Sequence, residues 1–433
     1  MTIQGKRVVI ATFGSLGDLH PSLAVAIGLL ARGHGVAIAT QESYRKKVEA
    51  AGVGFHPVGP DVADYGDEAA LMERVMDQRH GPSFVIRDMI VPRLRRTYEE
   101  ITVAVKDADL LLTHPLTLAA QLVTEKQRTR LAWGSVALAP SSFWSAFDPP
   151  VLAPLPGLRH LRPLGPMFFG PLFRLMKRSV ATWTQPWHEL RRELGLSASA
   201  HDPMFEGQFS PALTLAMFSP VLASPQPDWP PNTRVTGFSF YDRDNDSGSL
   251  VPALSAFLDA GEPPIVFTLG SSAVMNAGSF YTDSMEAARR LGRRAVLLIG
   301  RDPRNRPFGP LPDGMTVLDY APFSELLPRA AAVVHQGGVG TTGQALRAGR
   351  PMLVTPYGFD QLDNAERVVR LGVARAIPRR TYTARRAAAE LAVLLNQPRY
   401  AARAGEVGQT VQSEDGVRAA CEVIEKHLQG EDV

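Results

Sequence analysis

The sequence predicts an α/β protein built from two Rossmann-like domains, and three observations carry that prediction. A β-branched run, Arg7-Val-Val-Ile-Ala-Thr-Phe13, passes through a glycine turn and a helical stretch into a second strand. After a proline-rich and then polar break, the same pattern restarts at Pro264-Ile-Val-Phe-Thr-Leu269. The length of 433 residues suits two domains. Strand, glycine loop, helix and strand form the unit of a doubly wound parallel sheet, whose strands are covered on both faces and read as short apolar runs.

In the first half, Gly14-Ser-Leu-Gly-Asp-Leu-His-Pro21 reads as a turn, with Pro21 opening a helix over Ser22 to Ala31. Strands follow at Val36 to Thr40, Asp109 to Thr113 and Arg130 to Gly134. Eight prolines then fall between Pro140 and Pro171, which predicts an ordered irregular cover and no regular helix. The segment is either a plain surface loop or an apolar wall for a bulky ligand. A second break, Pro220 to Gly248, has linker composition. Beyond it, strands are expected at Ala295 to Ile299, Thr316 to Leu318, Ala332 to His335 and Met352 to Thr355, and a last amphipathic helix over Gly416 to Leu428. The expected organisation is an N-terminal domain over 1–241, a linker at 242–249, a second domain over 250–414 and a C-terminal helix within 415–433. The two domains are expected to face each other across a cleft.

Composition excludes several classes. Lys+Arg 46 against Asp+Glu 43 leaves a net charge of +3, too weak to call for nucleic acid. One cysteine, Cys421, excludes an internal disulfide framework and a multi-cysteine metal site. No apolar run reaches membrane-span length and the start lacks a signal-peptide core, so a cytoplasmic location is expected.

Chemistry concentrates between Asp319 and Asn364. Tyr320-Ala-Pro precedes a strand that delivers His335. Then come Gly337-Gly-Val-Gly-Thr-Thr342, the turn Gly349-Arg-Pro351, and Asp360-Gln361. A glycine loop that opens a helix places free N–H groups and the positive end of the helix dipole where an anion can sit. His335 adds a donor expected to become cationic, and the Thr341 and Thr342 hydroxyls add more. The set suits a diphosphate.

This ordered set resembles the nucleotide-diphosphosugar glycosyltransferases of the GT-B fold, which include macrolide, sterol and plant natural-product enzymes. The Gly14-Ser-x-Gly-Asp-Leu19 opening, Trp229-Pro…Val235-Thr-Gly-Phe238 and Asp360-Gln-x-Asp-Asn-Ala-Glu-Arg367 are most similar to bacterial rhamnolipid-type rhamnosyltransferases. The resemblance covers nearly the whole chain. It implies an inverting, metal-independent hexosyltransferase with no cofactor beyond a UDP- or dTDP-sugar co-substrate. Tyr320 would stack on the base and Ala321 would meet its edge through the backbone. His335 and the loop Gly337, Gly338, Val339, Gly340, Thr341 and Thr342 would hold the diphosphate, with Ser271 and Gly17 from other glycine loops. Asp360 and Gln361 would bind sugar hydroxyls. Two positions depart from the plant pattern: Phe323 replaces a glutamine, and Gln344 stands about one residue from the ribose-binding acid. The choice of UDP or dTDP stays open.

The resemblance also implies a base between the first strand and its helix, where this chain has Asp18 three residues before Pro21. The alternative role of Asp18 is a helix cap. His20 is a rival base, and His114 is expected to pair with Asp18 with the usual roles of acid and histidine exchanged. Trp133, Phe143, Trp144, Phe147, Phe168 and Phe169 are expected to supply part of a pocket for a lipophilic acceptor such as a hydroxy fatty acid, terpenoid, sterol or flavonoid. The strings Asp107-Ala-Asp109 and Asp244-Asn-Asp246 are expected to be solvated, not metal-binding. Basic residues Arg93, Arg95, Arg96, Arg174, Lys177 and Arg178 suggest weak peripheral membrane contact, and the chain is expected to be a monomer or homodimer. A nucleotide-sugar epimerase, a non-catalytic nucleotide-sugar-binding protein and, more remotely, a nicotinamide dehydrogenase are the competing readings.

Overall fold

A computed structural model describes residues 5–242, 250–307 and 309–431. The chain forms two compact units. One comprises Met1–Val75, Arg79–Ser239 and Asp415–Val433, the other Met76–Gln78 and Phe240–Glu414. The expected linker 242–249 lies, apart from Asp242, outside the described residues, as does the string Asp244-Asn-Asp246.

The first unit is a parallel sheet of seven strands: β1 (Arg7–Ala11), β2 (Gly35–Thr40), β3 (Gly54–Pro57), β4 (Leu110–Thr113), β5 (Ala132–Ala137), β6 (Thr214–Ala216) and β7 (Thr233–Val235). Their spatial order is β3-β2-β1-β4-β5-β6-β7. The second is a parallel sheet of β8 (Ile265–Thr268), β9 (Ala295–Leu298), β10 (Met315–Leu318), β11 (Ala332–His335), β12 (Met352–Val354) and β13 (Ala374–Ala376), in the order β10-β9-β8-β11-β12-β13. In each sheet the first strand lies between a neighbour reached by going one way and a neighbour reached by reversing. That switch point falls between β1 and β4, and again between β8 and β11. Open α/β sheets bind ligands at the carboxyl ends of the strands at such points. The buried strands β4, β8 and β11, and β1 beyond exposed Arg7, explain why the sequence reads there as unbroken apolar runs.

Five helices matter below: α1 (Leu16–Leu30), α2 (Gly165–Val180), α3 (Val339–Arg347), α4 (Gln361–Arg370) and α5 (Gly416–Gln429). Helix α1 starts six residues before the expected Ser22. Ser15 caps it, so Pro21 lies inside the helix and not at its start. The proline-rich cover also contains a regular helix, against expectation. Pro166 opens α2, and Pro171 is tolerated inside it. The carbonyl that Pro171 leaves without its helical donor belongs to Met167, which is 90% exposed, so water can serve it. Helix α5 packs on α1 within the first unit, with Cys421 buried 3.8 Å from the Val25 carbonyl. An added Cβ on Gly28 would stand 2.9 Å from the Cys421 sulfur, so this contact requires glycine.

Candidate active site

In the first unit the loop after β1 and the end of β4 converge. Ser15 is the N-cap of α1, and Asp18 closes a capping box with it. The Ser15 backbone N–H donates to Asp18 Oδ2 at 2.7 Å and the Ser15 hydroxyl to the same oxygen at 3.2 Å. The other oxygen, Oδ1, faces His114 Nε2 at 3.3 Å. His114 Nδ1 accepts from the Leu116 N–H at 3.4 Å, which assigns the ring proton to Nε2 and makes His114 the donor to Asp18. The cap and the pairing with His114 are therefore both present in one carboxylate. Asp18 keeps 29% of its side chain exposed and His114 10%. Gly14, at φ 135°, lets the carboxylate in, because a Cβ there would lie 2.3 Å from Asp18 Oδ2. Tyr44 donates from its hydroxyl to the Gly14 carbonyl at 3.1 Å, and burial, helped by the Asp18 charge, pushes its pKa up. Gly17 donates its N–H to the Ser15 hydroxyl at 3.1 Å. His20 is half-buried on α1, about 200° round the helix from Asp18, so the two leave different faces.

In the second unit β8 ends in Gly270 and Ser271, and β11 ends in His335. Helix α3 begins at Val339 with Gly338 as its N-cap, and no side chain caps it. The first N–H groups of the helix are thus left for a ligand or water. Gly337 has φ 90°, and a Cβ there would lie 2.9 Å from the Gln361 carbonyl. His335 departs from expectation. It is completely buried, and burial pushes its pKa down to about 3, so it is a neutral ring and not a cation. Its Nδ1 accepts from the Gly337 N–H at 3.0 Å, which leaves the proton on Nε2. Nε2 is buried and has no partner among the described residues. Thr341 lies near the loop, since its hydroxyl would stand 3.4 Å from a Cβ on Gly270. Thr342, like His335, is fully buried, and its hydroxyl has no partner among the described residues.

Gln344 also departs from its expected ribose role. Its amide nitrogen donates to Asp242 at 2.7 Å and its oxygen accepts from Arg347 at 2.7 Å, so both polar ends are engaged elsewhere. Tyr320 is exposed after β10, Ala321 is buried, and Phe323 opens a short helix after Pro322. Asp360 is half-buried at the start of α4, and its Oδ2 accepts from Asn364 Nδ2 at 2.6 Å. The same Asn364 nitrogen donates to the Gly337 carbonyl at 2.9 Å, which ties the glycine loop to Asp360. Gln361 accepts from the Tyr357 and Gly358 N–H groups at 2.9 and 3.2 Å, so its oxygen shapes the loop and its amide nitrogen is left to donate.

Sequence reasoning missed Gln336 and Asn364. Gln336 is buried beside the glycine loops, its nitrogen 2.3 and 2.8 Å from where Cβ atoms on Gly270 and Gly338 would lie. No periodic or motif signal marks it. Asn364 could have been found, because it lies four residues from Asp360 on one helix face.

The six aromatic residues expected in an acceptor pocket divide: Trp144, Phe168 and Phe169 share one apolar cluster, and Trp133, Phe143 and Phe147 lie outside it. Phe143 packs in the core against Trp229, with ring centroids 4.3 Å apart, and against Phe209 and Phe218. Trp144 meets Phe173 and Phe205 edge-on. Phe169 is buried under half-buried Phe168. Phe147 is exposed, and Trp133 donates to the Thr113 hydroxyl at 2.9 Å, beside the strand that delivers His114. A recess next to His114, lined by Phe13, Val58, Pro60, Ile90, Leu94 and Leu116, has room for about one water only. No group of three or more His, Cys, Asp or Glu among the described residues could hold a metal ion. Asp109 bonds Lys6 and the Arg7 N–H, and Asp107 pairs with Arg7 at 3.6 Å.

Residues 8–106 match the glycosyltransferase family 28 N-terminal domain, and residues 285–426 match the erythromycin biosynthesis protein CIII-like C-terminal domain. The chain is 32% identical over 429 residues to the O-mycaminosyltylonolide 6-deoxyallosyltransferase of Streptomyces fradiae, covering 97% of each. It is 27% identical over 446 residues to a sterol 3-beta-glucosyltransferase of Neosartorya fischeri, covering 98% of this chain but 30% of that longer protein. Its fold is similar to the glycotransferase of kitacinnamycin (TM-score 0.73, 23% identity, 98% of this chain and 100% of that one). It is also similar to a spinosyn rhamnosyltransferase complexed with spinosyn aglycone (TM-score 0.66, 18% identity, 97% of this chain and 100% of that one). The GT-B fold with its two Rossmann-like domains is thus present. The chain belongs to the glycosyltransferases that join a family 28 N-terminal domain to an erythromycin-CIII-like C-terminal domain.

Proposed function

We propose that the protein transfers a hexose from a UDP- or dTDP-sugar to a hydroxyl of a lipophilic natural product, with inversion, and that Asp18 is the general base. The observation that carries this reading is the Asp18–His114 pair at the switch point of the first sheet. His114 cannot offer a free lone pair, because Nδ1 accepts from Leu116 and Nε2 donates to Asp18. The exposed carboxylate is the group left to take a proton. A carboxylate is a weak base for a resting alcohol, but it suffices when proton transfer accompanies attack, since the alcohol grows acidic as its oxygen bonds. The acceptor oxygen bonds the anomeric carbon, its proton passes to Asp18, and the bond from the anomeric carbon to the diphosphate oxygen breaks on the far side.

The leaving charge is met by the N–H groups of Val339, Gly340 and Thr341 and by neutral His335 through Nε2–H, a preorganised site that needs no counter-cation. Activity is therefore expected to persist in a chelator. Asp360 and the Gln361 amide nitrogen serve the sugar hydroxyls, and Tyr320 serves the base. The relatives' acceptors, a macrolide and a sterol by name, support a lipophilic acceptor and extend the expected classes to macrolides. The single thiol, buried at Cys421, suits a cytoplasmic setting. The test is a donor panel of UDP-glucose, dTDP-glucose and dTDP-rhamnose crossed with macrolide, sterol, phenolic and hydroxy-fatty-acid acceptors, read by mass spectrometry. A glycosylated product with inverted anomeric configuration is expected. Nucleotide-sugar binding with no product on any acceptor would favour the binding-protein reading.

A further inference from the structure

We propose that the outer face of α2 docks reversibly on the surface of an anionic membrane. The helix is apolar on two faces. Phe169 and Phe173 are buried on the inner one, packed with Ala146 and half-buried Trp144, Phe168 and Met176. On the outer one, Leu164 just before the helix, Met167 and Leu175 are 54%, 90% and 66% exposed, with Pro171 between them. These positions are three and four residues apart, so they form one narrow stripe. The preceding turn adds exposed Leu155 and Leu161. An apolar helix face is ordinarily covered, and among the described residues nothing covers this one.

Charge identifies the occupant. From Pro149 to His188 there is no Asp or Glu, while Arg159, Arg162, Arg174, Lys177 and Arg178 fall in the same stretch. Lys177 pairs with Glu206, and Arg162 approaches Asp148 at 3.9 Å. Arg174 and Arg178 are exposed and form no ion pair among the described residues. The other basic cluster in this unit is neutralised, since Arg93 meets Asp64, Arg95 meets Glu193 and Arg96 meets Glu100. A two-fold contact with a second copy would set the α2 cations against themselves. A bilayer surface instead supplies anionic head groups for the arginines and an acyl boundary for flexible aliphatic side chains, with no shaped pocket required. So small an apolar face gives weak, reversible binding.

The test is co-sedimentation of the full chain with vesicles of phosphatidylcholine and phosphatidylglycerol, against vesicles of phosphatidylcholine alone. Binding to the anionic vesicles only is expected, with loss at high salt. Arg174→Glu with Arg178→Glu should weaken it by about tenfold or more. Met167→Asp with Leu175→Asp should abolish it. Both double variants should melt as the wild type does and turn over a water-soluble acceptor unchanged, so this result is separate from the assignment of the reaction. The proposal is overturned by absence of binding to anionic vesicles, or by binding that neither double variant alters. A dimer in light scattering that Met167→Asp with Leu175→Asp dissolves would also overturn it, because the face would then belong to a second copy.

Discussion

Ser15 holds one oxygen of Asp18 and His114 the other, so the side chain that helps start the helix is also the one proposed as the base. Removing His114 takes away the donor to Oδ1 and leaves the cap intact. His114→Ala should therefore lower kcat by about 10–100-fold, the loss of one hydrogen bond to a charged group, without changing donor affinity. Gly14→Ala should be as harmful, because its Cβ would lie only 2.3 Å from Oδ2 and push the carboxylate out of place. His335 gives a prediction in pH. Its pKa is about 3 in the fold and about 6.5 in the unfolded chain, so between these values only the unfolded chain takes up the proton. The resulting stability is complete above about pH 6.5 and is lost as pH falls toward 3. Between pH 6.5 and 5 the wild type should lose on the order of 1–2 kcal/mol more than His335→Asn, measured by chemical denaturation at both pH values.

At the scale of elements, α4 separates support from chemistry. Asp363 and Arg367 form a fully buried ion pair at 2.6 Å, four residues apart, while Asp360 stands half-buried at the helix start. Asp363→Ala should destabilise the fold by about 3–5 kcal/mol, since it strands a buried guanidinium. Asp360→Ala should leave the melting temperature near wild type and cut turnover. Comparing melting curves with initial rates for the two variants checks this.

The motif running from Asp360 to Arg367 was legible as one string, but its division into site and scaffold was not, because burial is a tertiary property. The same limit explains other departures. Strands β6, β7 and β13 have three residues each, too few for a periodic signal; β12 is as short but is an unbroken apolar run, Met352-Leu-Val354, after a Gly-Arg-Pro turn. Pro21 read as a helix start and Pro171 as part of an irregular cover, because proline lacks a donor, yet each sits inside a helix. The aromatic residues of the proline-rich stretch were legible as apolar, but sequence spacing could not separate Phe143, in the core with Trp229, from exposed Phe147.

At the scale of the molecule, the two sheets repeat one plan. In each, the strand ends at the switch point carry the candidate site residues: Asp18 and His114 after β1 and β4, and the Gly270 and Gly337 loops after β8 and β11. The strand–glycine–helix pattern made this repeat readable from the sequence. The pairing across β1 and β4 rests on residues 96 positions apart and becomes visible only once the strands are neighbours. The net charge of +3 also takes on a local sense in the proposed function, where helix N–H groups and a neutral imidazole, and not a basic surface, would meet a diphosphate.

The central claim, that Asp18 accepts the proton of the attacking hydroxyl, is tested most directly by turnover of Asp18→Asn. Asparagine keeps an oxygen for the Ser15 N–H, so the cap, the melting temperature and nucleotide-sugar affinity should stay close to wild type. The account predicts a fall in kcat of about 100–10,000-fold. Turnover near the wild-type rate in a folded, donor-binding Asp18→Asn protein would contradict it.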